Sequence, residues 1–171
     1  MIKLIAIIEK MHRGRCFVNR VGRVVPTVKI ELTRDIQASP EVVWSVITDF
    51  ECYKEWNPFV IDCDAKLEPG APISMRVRLG PREISQVETV SSVVEHMLFE
   101  YRMKPIKPFL YSCRQHHVTS NGLGGTSYRS HFELNGWLSG LTALSVGKHL
   151  RHGFESMTDA LKQRAESLAH S

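Results

Sequence analysis

Residues 36–60 read IQASPEVVWSVITDFECYKEWNPFV, and this stretch decides how the rest of the chain is read. Ser39, Pro40 and Glu41 mark a helix start within three residues. A hydroxyl can accept from a free backbone N–H, a proline fits the first helical position without losing a bond, and a carboxylate sits near the positive end of the helix dipole. Val43, Trp44, Val46 and Ile47 then make the helix apolar over most of its surface. Asp49 opens a second short turn through Tyr53 to Trp56, so two short helices are expected here, and their apolar sides need a partner.

Upstream, Val28, Ile30 and Leu32 alternate with Lys29, Glu31 and Thr33, the period of a half-buried strand that ends near Ile36. Downstream, turn residues recur at Pro69-Gly70, Gly80-Pro81, Glu95-His96, Pro105 to Pro108 and Asn121 to Gly125, which leaves room for six further strands in an antiparallel meander. Ile73, Met75, Val77 and Leu79 share one face of theirs, as do Tyr128, Ser130, Phe132 and Leu134. The period changes at the end of the chain. Leu150, Phe154, Met157, Leu161, Ala165 and Leu168 recur at three- and four-residue steps, which predicts a long amphipathic helix. Gly140, Gly147 and Gly153 lie in its first part; each weakens a helix, and they read as a loosely held segment, as places of close approach to the sheet, or as the mark of a helix that starts late.

The order strand, two short helices, six strands, long helix is an α+β arrangement in which the helix must cover the apolar face of the sheet. At this point a resemblance becomes specific. The segment from Ile36 to Val60 resembles the N-terminal signature of the START-like SRPBCC superfamily, in its polyketide cyclase/dehydrase and lipid-transport branch. GGTSYRSHFELNG, residues 124–136, is similar to that family's last strand, and Gly153-Phe154, Met157 and Ala160 to Lys162 resemble its closing helix. The resemblance implies a helix-grip fold: a curved seven-stranded antiparallel sheet wrapped around the C-terminal helix, with a cavity between them. It also implies an apolar small-molecule ligand, lipid-like, polyketide-like or quinone-like.

Charge divides the chain unevenly. Residues 1–27 carry Lys3, Lys10, Arg13, Arg15, Arg20 and Arg23 against Glu9, whereas residues 28–171 are close to neutral despite the overall charge of +4. A basic N-terminal arm (1–27) followed by one START-like ligand-binding domain (28–171) is therefore expected, and the neutral domain argues against a nucleic-acid partner. No apolar run reaches the roughly 20 residues that span a bilayer, and no cleavable leader is evident, so a cytoplasmic protein is expected. Cys16, Cys52, Cys63 and Cys113 form no C-x-x-C pair, which predicts free thiols.

No nucleophile elbow, phosphate loop or H-E-x-x-H pair is present. His149 and His152 lack a third ligand, so no metal and no cofactor are expected. The expected lining of the cavity comprises Met75, Val77, Phe99, Tyr101, Arg114, His116, Tyr128, Phe132, Leu150 and Phe154. If apolar residues set the inward register, the strand from Tyr111 to Thr119 turns Ser112, Arg114, His116 and Val118 inward. His116 could then act as acid or base on a carbonyl compound with Arg114 holding an oxyanion, or it could be an ordinary hydrogen-bonded wall residue. Glu88 shares a face with Gln86 and Ile84, and if inward it needs a cationic partner such as Arg76. The leading functional expectation is a carrier or binding protein. The alternatives are a cyclase or dehydratase using His116 and Arg114, and a regulatory interaction protein using the basic arm. Oligomeric state is left open.

Overall fold

The computed structural model describes residues 27–106 and 109–170. The basic arm, apart from Thr27, and Cys16 within it lie outside the described residues. Strand β1 (Thr27–Ile36) leads into helix α1 (Pro40–Thr48), a 3₁₀ turn (Phe50–Cys52) and helix α2 (Tyr53–Trp56). Strands β2 (Val60–Ala65), β3 (Pro72–Leu79), β4 (Arg82–Val94), β5 (Leu98–Met103), β6 (Tyr111–Ser120) and β7 (Thr126–Asn135) follow, and helix α3 (Ser139–Ala169) closes the chain. All seven strands form one antiparallel sheet in the order β1-β7-β6-β5-β4-β3-β2.

Local chemistry accounts for the turn from β1 into the helices. Ser39 caps α1 through its side chain to the Val42 N–H, and the Val43 N–H reaches the Ser39 carbonyl at 3.0 Å. Val43, Trp44, Val46 and Ile47 are buried, and the Tyr53 hydroxyl donates to the Ile47 carbonyl at 2.6 Å, which locks α2 onto α1. Asn57 then makes the corner into β2, its Oδ1 accepting from the Phe59 and Val60 N–H groups at 3.0 and 2.9 Å.

Helix α3 packs against β1, β7 and β3 as well as α1 and α2. β1 and β3 are five strand steps apart, and the sheet curves around α3 so that both reach it. Sequence periodicity locates the gripped part of that helix, since Phe154, Met157, Leu161 and Ala165 are buried. Gly153 resolves the readings of the glycines at one position: a Cβ there would collide with the Phe59 ring, so the glycine permits close approach. The helix also begins earlier than the apolar pattern suggests, at Ser139. Its first three turns pack poorly, with Leu141 63% and Leu144 87% exposed. Glu166 and Asp159 tie the other end to β1, accepting from the Gln37 N–H at 2.9 Å and from Arg34 at 2.8 Å.

Candidate functional site

The concave face of the sheet inherits its residues from the period-2 alternation. On β3, Ile73, Met75 and Val77 are buried while Ser74, Arg76 and Arg78 face out; on β7, Tyr128, Ser130, Phe132 and Leu134 turn inward. β6 turns Ser112, Arg114, His116 and Val118 inward. Toward the N-terminal half of α3 the packing opens into a pocket of about 280 Å³ between β2 to β7 and the helix. Most of its wall is apolar: Phe59, Val60, Met75, Val77, Leu79, Met103, Phe132, Leu134, Leu150 and Phe154. The polar groups are Gln86, Glu88, Tyr101, Lys104, Ser112, Arg114 and Thr142.

Of the residues expected to line a cavity, Met75, Val77, Tyr101, Arg114, Phe132, Leu150 and Phe154 surround this pocket. Phe99, His116 and Tyr128 do not reach it. His116 is 1% exposed, lies nearly parallel to Phe99 with ring centroids 5.7 Å apart, and shares a 2.7 Å hydrogen bond between its Nδ1 and the Tyr128 hydroxyl. Burial, with the positive charge of Arg114 and then His117, holds its pKa well below the ordinary histidine value. His116 is thus a neutral imidazole in the wall. Its side chain packs among Phe99, Tyr101 and Tyr128, of which Tyr101 alone also borders the pocket.

Arg114 is 2% exposed and is the largest fully buried side chain. Its Nη1 donates to Ser130 Oγ at 2.7 Å, and its guanidinium carbon stands 4.3 Å from the centroid of the Phe154 ring. Its Nε and Nη2, both buried, have no hydrogen-bond partner. Across the pocket wall, Glu88 is 8% exposed; Oε1 accepts from Gln86 at 3.2 Å and Oε2 is unpartnered. Burial raises its pKa to about 7, and the charge of Arg114 opposes that rise. Arg76, an example of the cation an inward Glu88 would need, sits on the opposite face of β3 beside Asp62. The register Ile73↔Glu88 places Arg76 opposite Ser85, three residues along β4. Sequence alone offered a weak signal for Glu88, its shared face with Ile84 and Gln86. Leu79 carried the same kind of signal, its shared face with Met75 and Val77, but Phe59 and Thr142 carried none, because their place in the pocket depends on how the sheet bends and how far α3 extends.

Other candidates lie elsewhere. His149 and His152 are exposed on α3, and among the described residues no three His, Cys, Asp or Glu side chains converge as a metal ion requires. Cys52, Cys63 and Cys113 are free thiols, and burial pushes Cys63 and Cys113 up to about 12. Among the described residues no helix is long and apolar enough to cross a membrane.

A family profile described as polyketide cyclase / dehydrase and lipid transport matches residues 27–166. The chain belongs to this family. The membership covers both short helices, the whole sheet and nearly all of α3, and the observed architecture is the helix-grip fold its sequence resembles. Solved structures of the same fold include a START superfamily protein from Mycobacterium smegmatis, with a TM-score of 0.66 at 19% identity, over 82% of this chain and 98% of that one. The ZhuI aromatase/cyclase from Streptomyces sp. R1128 superposes with a TM-score of 0.64 at 13% identity, covering 85% and 94% of the two chains. Norcoclaurine synthase from Thalictrum flavum, in complex with dopamine and hydroxybenzaldehyde, gives 0.65 at 18% identity over 92% and 95%. No match to a curated protein sequence was found. At these identities the likeness is one of fold, and both fold and family are consistent with the binding of hydrophobic ligands.

Proposed function

We propose that this family member is a binding or carrier protein for a small apolar molecule, held in the pocket between the sheet and the first half of α3. The observation that carries the reading is a mostly apolar wall interrupted by two buried, incompletely bonded polar groups, Arg114 and Glu88. Apolar burial at about 25 cal/mol per Å² supplies the affinity, and one or two polar contacts set the orientation. A pocket of about 280 Å³ lies just below the roughly 300–1,000 Å³ common for small-molecule sites, which favours a compact or single-chain guest. The loosely packed start of α3, with Thr142 and Leu150 in the pocket wall, gives such a guest a route in.

Carriage fits the geometry better than acid–base catalysis by His116, because that imidazole is neutral, fully buried and outside the pocket lining. The role first expected for the basic arm falls on residues outside those described.

Native mass spectrometry of the freshly purified protein, followed by denaturation and organic extraction, tests the reading together with titration of the neutral apolar fluorophore N-phenyl-1-naphthylamine. Saturable binding of the fluorophore, lost when Met75→Trp fills the pocket, is the expected result. A protein that carries no apolar molecule and leaves the fluorophore unbound contradicts it.

A further inference from the structure

The two unpartnered nitrogens of Arg114 are chemically specific. Nε and Nη2 lie on one edge of the guanidinium, and that edge is the fork that receives a carboxylate through two parallel N–H···O bonds. The other side of the group is already used, since Nη1 donates to Ser130. Phe154 covers the guanidinium at 4.3 Å. Nε and Nη2 are therefore the guanidinium nitrogens left without a hydrogen-bond partner, on a residue that is 2% exposed, lines the pocket and also lies close enough to the Tyr128 hydroxyl to oppose the rise that burial gives its pKa. A buried cation with unmade hydrogen bonds is costly unless an anion completes it. Glu88 does not: its Oε2 is itself unpartnered, and it influences Arg114 only through space.

Resting on the reading of the pocket given above, we propose that the guest is an amphiphile with a carboxylate head, docked two-pronged on the Nε and Nη2 edge of Arg114 with its apolar tail along Met75, Val77, Leu150 and Phe154. Glu88 gives the site a pH dependence. Its carboxyl is raised to about 7 by burial, so in weakly acidic solution it is neutral and the arriving carboxylate meets no second negative charge. Above about pH 7 the two carboxylates repel, and binding becomes linked to uptake of one proton. The charged or titratable groups facing Glu88 are Arg114 from β6, Tyr101 from β5 and the exposed Lys104 after β5; β3 and α3 present only uncharged residues to the pocket.

The test is displacement of N-phenyl-1-naphthylamine from the full chain by decanoic acid and by 1-decanol, which share a tail and differ in the head. At about pH 6 the acid is expected to bind about tenfold more tightly than the alcohol. This advantage is expected to fall as pH rises from about 7 to about 8 in the wild type and to persist there in Glu88→Gln. In Arg114→Met the acid should lose its advantage while the alcohol binds as before. Equal affinity of acid and alcohol in the wild type overturns the proposal, as does an acid preference that survives in Arg114→Met. If Arg114→Met does not fold, the wild-type comparison and the pH profile of Glu88→Gln decide. A wild-type protein that binds neither the fluorophore nor either decyl compound overturns the pocket reading itself, an outcome distinct from binding without head-group preference.

Discussion

Two buried glutamates on neighbouring strands, Glu88 on β4 and Glu100 on β5, sit on opposite faces of the same sheet and have opposite fates. Glu100, on the outer face, accepts from Ser91 at 2.6 Å, from Arg102 at 2.8 and 2.9 Å, and from Gln115. Burial alone would raise its pKa, but the hydrogen bonds from Ser91 and Gln115 and the charge of Arg102 outweigh it and hold the carboxyl below the ordinary range. Glu88, on the inner face, has one neutral amide partner and a free oxygen, and is raised to about 7. A carboxylate that the fold completes belongs to the structure. Glu88 and Arg114 are left incomplete by the fold beside a pocket, and that incompleteness is the basis for the guest site proposed there.

The comparison can be broken most forcefully at Glu100. Glu100→Leu strands Arg102 and Gln115 and should destabilise the protein by about 3 kcal/mol in urea unfolding at neutral pH. Glu88→Gln should act in the other direction. Because burial raises the folded carboxyl from its ordinary value of 4.5 to about 7, the folded state holds its proton more tightly than the unfolded chain. The stability this gives is fully present below about pH 4.5 and is lost as pH rises through about 7. At about pH 8, Glu88→Gln should therefore be more stable than the wild type by up to about 3 kcal/mol, with the gain vanishing near pH 4.5. Glu100 has the reverse slope: its lowered pKa stabilises at neutral pH, and that contribution fades as the solution becomes acidic.

A smaller effect is expected at Arg114. Arg114→Met removes the Ser130 hydrogen bond but also a buried charge with two unmade bonds, so thermal unfolding should shift by no more than about 1 kcal/mol. The contrast with Glu100→Leu is the point: similar burial, different completeness. The smallest effect concerns His116, whose ring signals in NMR spectra should not titrate over the pH range in which an ordinary histidine does. A normal titration would mean that water reaches the rings packed around it and that the pocket is deeper than its lining indicates.

Much of this fold was legible in the chain. Ser39-Pro40-Glu41 placed the start of α1, the turn residues separated the strands, and alternation on β6 turned Arg114 and His116 inward. Alternation reports a face and not a depth. It could not say that Arg114 borders the pocket while His116, two residues along the same strand, lies sealed among Phe99, Tyr101 and Tyr128. It also could not say which cation approaches Glu88, because that depends on register and on the curvature that brings β4 and β6 toward one pocket. The first turns of α3 were legible as helix, since Gly140 was read as part of it, but not their looseness: Leu141 and Leu144 are apolar in the sequence and yet stay exposed.

The central claim, that the open edge of Arg114 belongs to a pocket that takes a guest, is tested most directly by NMR during titration with decanoic acid, following the Arg114 Nε–H and the methyl groups of Met75 and Leu150. The expected result is a saturable shift of all three signals with one common binding constant. Shifts confined to exposed residues such as Leu141 and Leu144, with Arg114 and Met75 unmoved, would contradict it.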